Sequence, residues 1–139
     1  MADRLRLELA TPTGLVVSEM ADEVVLPSVD GYLGVLPGHA PLVTLVGVGE
    51  VTYRAGRQER YLAVSGGFAE VGPDRVTILA ETTERPEEID VTRARSARER
   101  ADRRLGSRGG DEETDFPRAQ AALARARTRL QVATRRPGR

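Results

Sequence analysis

"VTILAETTERPEEIDVTRARSARERADRRL" (76–105) decides the architecture, because the hydrophobic period changes inside it. Val76 and Ile78 flank Thr77, the period of two that a half-buried strand shows. At Arg85-Pro86 that alternation stops. From Asp90 the residues turn Ala- and Arg-rich with Leu105 as an anchor, a composition that favours helix. Asp90 is placed to cap the helix N-terminus. One change of period, at a proline, predicts two units: residues 1–85 in strands and residues 86–139 in helices.

Upstream, Leu5, Leu7 and Leu9 alternate with Arg4, Arg6 and Glu8, and Val51 and Tyr53 alternate with Thr52 and Arg54. Turn signals stand at Thr11-Pro12-Thr13-Gly14, Ala55-Gly56-Arg57, Ser65-Gly66-Gly67 and Gly72-Pro73-Asp74. Short strands about ten residues apart with Gly and Pro between them read as an antiparallel sandwich or barrel. Pro27 and edge arginines are expected to protect the sheet's edges.

Downstream, Ala119, Ala122, Leu123, Ala126, Leu130 and Ala133 recur at three and four over 115–134, one face of a second helix with Asp115 as its cap. Residues 106–114, glycine- and acid-rich, cannot continue a helix without cost, so the two helices form a hairpin. Its anchors are Leu105, Leu123 and Leu130, but its stripe is mostly alanine. Burial stabilises by roughly 25 cal/mol per Å², and alanine offers little area. The pairing is therefore expected to be weak beside the sandwich core. Both a plain packed hairpin and one that swings open to a better partner fit this pattern.

The 139-residue length suits one domain plus an appendage. No run of about 18 apolar residues occurs. Met1-Ala2-Asp3-Arg4 shows no charged-then-apolar signal, so a cytosolic setting is expected. Cysteine is absent, which excludes thiolate metal sites. Acids dominate residues 1–90, and more than half of the arginines lie in 91–139. All basic residues are arginine, and a chain without lysine has neither a Walker lysine nor a Schiff-base lysine. Ser28 and Ser65 lack a local base, and Gly47-Val48-Gly49 reads as a β-turn rather than a dinucleotide loop. No catalytic residue, no metal site and no required cofactor are expected.

His39, the single histidine, sits in "GYLGVLPGHAPLV" (31–43) between two prolines. Two readings stand: a ring bonded to nearby backbone, or a contact displayed on a stiff turn that loses little entropy on docking. A second constellation is arginine. Arg93 and Arg100 are seven apart on one helix, and Arg125 and Arg129 four apart on the next. Converging guanidinium forks suit a polyphosphate, with Ala94 leaving room for a flat base. A solvated face paired with Glu88 and Glu99, or docking on an acidic protein surface, explains the same residues.

"VVLPSVDGYLGVLPGHAPLVTLVGVGEV" (24–51) closely resembles the signature region of the epsilon subunit of F-type rotary ATP synthases, and "YLAVSGGFAEV" (61–71) and the opening stretch extend the likeness. The resemblance implies an N-terminal β-sandwich and a C-terminal two-helix hairpin. It implies a non-catalytic rotor-stalk subunit that binds the gamma subunit and the c-ring and couples ring rotation to ATP synthesis. The setting implied is peripheral, on the cytoplasmic face of a bacterial plasma membrane, touching membrane only through the complex, with no nucleic acid among the partners. The rotor contacts implied include Asp30, Tyr32, Gly38 and His39. The hairpin of bacterial members extends toward the alpha/beta hexamer and inhibits hydrolysis, and in some it binds ATP as a regulatory ligand through I/L-D-x-x-R-A. Here that motif is Ile89, Asp90, Arg93 and Ala94, with Glu84, Arg100, Arg125 and Arg129 at the family's other nucleotide-contacting positions. Two features depart from many relatives: Tyr32 replaces an acidic residue before the Leu-Gly of the signature, and the inter-helix loop looks longer and richer in glycine. The rival from another class is a free-standing nucleotide sensor, a stable monomer that would not co-purify with gamma.

Overall fold

The structure is a computed structural model that describes residues 4–106 and 115–136. The chain divides into two compact units, Met1–Glu84 and Arg85–Arg139.

The first unit holds eight strands: β1 (Leu5–Thr11), β2 (Gly14–Ala21), β3 (Glu23–Ser28), β4 (Gly31–Val35), β5 (Leu42–Leu45), β6 (Val48–Ala55), β7 (Gln58–Val71) and β8 (Arg75–Glu84). They pair in the order β2-β1-β8-β7-β6-β3-β4, and β5 adds to β7. Every pairing is antiparallel except β1 with β8. Period two sets the faces: Leu5, Leu7 and Leu9 are fully buried, while Arg4 and Arg6 are exposed. Leu9 and Val17 at one end of the pairing order share a single core with Val24, Leu26 and Val35 at the other. The ends can meet only if the sheet folds over itself, so the unit is a β-sandwich.

β7 is the strand both layers share. Its residues 58–65 pair with β6 and residues 68–71 with β5, while 63–71 also pair with β8. Gly66 and Gly67 lie at the change-over with φ of +72° and +111°. These residues were expected to make a turn; instead β7 runs through them in one register with β8. A turn would separate two strands, whereas positive φ at two glycines diverts one strand without ending it. A Cβ on Gly67 would lie 2.9 Å from Ala80 Cα and closer still to Leu79 O. Gly47-Val48-Gly49 also makes no β-turn, because Val48 and Gly49 open β6. Pro27 guards no edge: it is buried in β3, past the last β3–β6 pair, Val25 with Thr52, and its carbonyl accepts from Gly47 N at 3.0 Å.

Asp22 braces the β2–β3 junction. Gly56 N–H donates to its Oδ2 at 2.7 Å, Arg4 Nε lies 3.3 Å from Oδ1, and Arg54 Nη1 lies 3.7 Å from Oδ2. The Gly56 N–H bond, helped by the two guanidinium charges against a smaller opposing effect of burial, holds this carboxyl below the usual aspartate range.

The second unit begins with a 3-10 turn, Pro86–Glu88, then α1 (Val91–Gly106) and α2 (Phe116–Ala133). Asp90 Oδ1 accepts from Arg93 N at 3.0 Å and Asp115 Oδ1 from Arg118 N at 3.1 Å, so both helices are capped as their sequences predict. Ala94 and Ala101 are buried on α1, and Ala119, Leu123, Ala126, Val132 and Ala133 on α2. Of the three expected anchors only Leu123 is buried; Leu105 and Leu130 are half-buried, and Val132 takes a core place. The connecting residues 107–114, expected to form a long glycine-rich loop, lie outside the described residues, as does the Met1–Asp3 terminus.

Two outcomes follow from the sandwich. Gly67→Ala should lower its unfolding free energy by roughly 3 kcal/mol or more, combining strained φ with overlap. Gly56→Ala, at φ +64° with nothing within 4 Å, should lose only about 1 kcal/mol. Guanidinium titrations followed by circular dichroism compare the two, and equal losses would contradict the overlap. For Asp22, the unfolded carboxyl titrates at about 3.9. Its folded value is lower, so the brace contributes fully above about pH 4 and is lost as pH falls through the folded value. Asp22→Asn should flatten the acid limb of the Tm–pH profile, and an unchanged limb would rule the brace out.

Candidate functional site

Two surfaces stand apart from the packed cores. On the sandwich, the residues that alternate with the core point outward, and one row of them is apolar across five strands. Leu45 pairs with Phe68, Phe68 with Leu79, Leu79 with Ala10, and Ala10 with Leu15. Directly paired residues share a face, and strands lie about 4.8 Å apart, so the row extends roughly 19 Å. Leu45 and Leu15 are each 60% exposed, Phe68 48% and Leu79 41%. Val43, beside Leu45 on the same face, is also exposed. A contiguous apolar strip of this kind marks an interaction surface. Sequence reasoning missed it. The available signal was Leu9-Ala10, Leu45-Val46, Phe68-Ala69 and Ile78-Leu79, where adjacent apolar residues supply both faces of a strand at once.

The four residues expected at a rotor interface are strung along the edge strand β4 and its flanking turns. Asp30 is exposed in the β3–β4 turn, where its N–H donates to Ser28 Oγ at 3.2 Å while Ser28 Oγ donates to Gly31 O at 2.6 Å. Gly38, at φ +92°, donates from its N–H to Pro73 O at 2.7 Å, tying the loop to the β7–β8 connection. His39 Nδ1–H donates to Ala40 O at 2.6 Å and its backbone N to Leu36 O at 3.2 Å. A carbonyl only accepts, so this bond places the proton on Nδ1. The ring therefore does bond local backbone, and that bond leaves the display reading open.

Tyr32 has a second task. It is 62% exposed, yet its hydroxyl accepts from Glu50 N at 3.1 Å. Continuing the β3–β6 register would set Pro27, which has no N–H, against Glu50. The ladder ends there, and the phenol enters the gap over Gly49. A Cβ on Gly49 would lie 2.6 Å from Tyr32 Oη and 2.7 Å from Pro27 Cβ. Tyr32, Pro27 and Gly49 thus form one packing unit, which explains an aromatic residue at this position.

In the second unit the structure gathers the arginines. Arg93, Arg100, Arg125 and Arg129 each stand one position before a residue of the helix–helix seam: Ala94, Ala101, Ala126 and Leu130. One residue turns a helix by about 100°, and two helices running in opposite directions then carry both pairs to the same side of the seam. Arg93, Arg100 and Arg125 are exposed and form no ion pair among the described residues; Arg129 is half-buried. Glu88 does not pair with them, because its Oε1 accepts from Arg85 N at 2.9 Å. Ile89 and Ala94 are buried, so they shape the backbone beneath this side and line no open space on it. Glu84 is the last residue of β8, the strand that closes the first unit. Residues 1–84 hold six arginines against twelve acids, and residues 85–139 fifteen against nine, so an anion is drawn to the second unit. Among the described residues no three His, Asp or Glu stand together as metal ligands.

Residues 4–86 match the family described as ATP synthase, Delta/Epsilon chain, beta-sandwich domain, and residues 87–134 its long alpha-helix domain. The chain is 52% identical over 133 residues to the ATP synthase epsilon chain of Syntrophobacter fumaroxidans, covering 96% of this chain and 98% of that one. It is 55% identical over 130 residues to the epsilon chain of Moorella thermoacetica, covering 93% and 96%. Among solved structures it is similar to a chain of the Euglena gracilis mitochondrial ATP synthase, OSCP/F1/c-ring in rotational state 1, with TM-score 0.81, 26% identity and coverage of 96% of this chain and 83% of that chain. A chain of the Tetrahymena thermophila mitochondrial ATP synthase central stalk/c-ring shares the fold at TM-score 0.57 and 12% identity, covering 96% of each.

Proposed function

The chain belongs to the ATP synthase delta/epsilon chain family, a non-catalytic central-stalk subunit of that complex, and from this premise we propose how its two surfaces divide the work. The sandwich docks on the gamma subunit through the apolar row Leu15–Ala10–Leu79–Phe68–Leu45, and on the c-ring through β4 and its turns, with Asp30, Tyr32, Gly38 and His39. Rotation of the ring is thereby transmitted toward ATP synthesis on the catalytic subunits. No described helix is long and apolar enough to cross a membrane. In this reading the subunit is peripheral, at the cytoplasmic face, and attached through these contacts. The exposed apolar row is the observation that carries the reading. Such a strip gains from being covered at roughly 25 cal/mol per Å².

The hairpin supplies regulation. Its alanine seam leaves α1 and α2 weakly joined, and ATP held across the arginines of both would favour the closed form by differential binding. Without ATP, the hairpin opens along gamma toward the alpha/beta hexamer and slows hydrolysis. The four arginines on one side of the seam support a polyphosphate ligand, because guanidinium forks take phosphate oxygens two at a time.

Phe68→Asp, alone or with Leu45→Asp, should weaken capture of the gamma subunit by about tenfold or more. The melting profile should barely change, since both side chains are exposed. Undiminished capture would remove the row from the interface, and a wild-type chain that never captures gamma would favour a free-standing sensor. For the hairpin, calorimetric titration with ATP should give heat with the wild type and much less with Arg93→Ala or Arg129→Ala. A complex assembled with a chain ending at Arg85 should hydrolyse ATP faster than the intact complex. No heat at millimolar ATP, together with unchanged hydrolysis, would sink the regulatory reading.

A further inference from the structure

The hairpin is covalently joined at one end only, through residues 107–114. At the other end, the start of α1 and the end of α2 are held by side chains. After Ala133 the chain tightens: Thr134 N donates to Gln131 O at 3.1 Å, Arg135 N to Val132 O at 2.9 Å and Arg136 N to Ala133 O at 3.4 Å. These three-residue bonds wind the backbone more sharply than an α-helix. They bring Arg136, half-buried, against the 3-10 turn. Its Nε donates to Pro86 O at 3.0 Å and its Nη2 to Ile89 O.

Those two carbonyls are informative. Pro86 and Ile89 are both buried. The first backbone bond of α1 runs from Ala94 N to Asp90 O, so Ile89 O stands one residue outside the helical ladder. Arg136 gives it a partner that the helix does not. A carbonyl left short of partners in a buried place is costly, and bonds to a charged donor are the stronger kind. Ile89 also opens the Ile89–Ala94 motif, whose next residue, Asp90, caps α1 through Arg93 N. One side chain therefore joins the far end of α2 to the backbone from which that motif is built.

We infer that Arg136 is a positioning residue: the clasp that closes the open end of the hairpin and fixes the start of the Ile89–Ala94 segment, so that the hairpin opens by releasing Arg136 from Pro86 O and Ile89 O. Its effect on nucleotide uptake rests on the regulatory reading above; the closure itself does not. The alanine seam alone gives little resistance to separation, and the clasp concentrates the resistance where the helices are not tied by the chain. Lysine is a poor substitute, because a single ammonium on a flexible stem lacks the fixed fork that spans two carbonyls.

The test uses the full chain and amide hydrogen exchange without nucleotide. Arg136→Ala should speed exchange of the α1 and α2 amides by about tenfold while β1–β8 keep their protection, as loss of charge-assisted bonds predicts. Arg136→Lys should fall between the alanine variant and the wild type. Hairpin protection unchanged in Arg136→Ala, or sandwich and hairpin loosened equally, would overturn the clasp. Calorimetry with ATP on the same proteins separates the two ideas. A several-fold weaker affinity in Arg136→Ala supports the link to the motif, and equal affinity in variant and wild type refutes it. If the wild type itself takes up no ATP, the nucleotide reading falls, and the exchange data still decide the clasp.

Discussion

A strand that must serve two layers constrains everything else in the first unit. β7 pairs with β6 along one stretch and with β5 along the next, while β8 follows it through the change. Regular extended backbone cannot do this, because side chains alternate faces without interruption. Gly66 and Gly67 supply the exception with positive φ, and at Gly67 the neighbouring strand comes so close that no Cβ fits. The closed core, the parallel union of β1 with β8 and the outward row from Leu45 to Leu15 all depend on that passage. A side chain there would separate the strand from the partner that completes the row.

The second unit follows a different rule. Its buried residues are mostly alanines, with Leu123 and Val132 the larger ones, so each contributes less apolar area than the leucines and valines of the sandwich core. Local devices compensate: aspartate caps at both helix starts, a Glu88 bond to Arg85 N, and an arginine at the open end. Each holds a terminus rather than the seam. A hairpin bonded at its ends and joined along its length by small side chains suits two states better than one joined by large side chains would. The arginines on one side of the seam are the feature on which the proposed nucleotide response rests.

Much of this was legible in the residues. The change of period at Arg85-Pro86 separates strands from helices within a residue of the observed division, because strand and helix periods differ and proline interrupts the first. The aspartate caps were legible for the same local reason: a cap depends on the residue and the two or three that follow it. Two glycine signals misled. Ser65-Gly66-Gly67 and Gly47-Val48-Gly49 look like turns by composition, yet both lie at the change-over, where glycine serves close approach between strands. Composition reports that a residue has freedom of φ; it does not report whether that freedom ends a strand or diverts it.

What the sequence by itself determined is the order of units, the inward face of each strand and the helix starts, since periodicity and capping act over a few neighbours. Only the tertiary structure decided which outward residues become a surface. Leu15, Ala10, Leu79, Phe68 and Leu45 are scattered over 70 positions and become one row through strand register alone. The same holds for Tyr32 filling the gap above Gly49 and for Arg136 reaching Pro86 and Ile89. Each joins residues far apart in the chain, and the free energy that brings them together comes from burying the core rather than from the residues themselves.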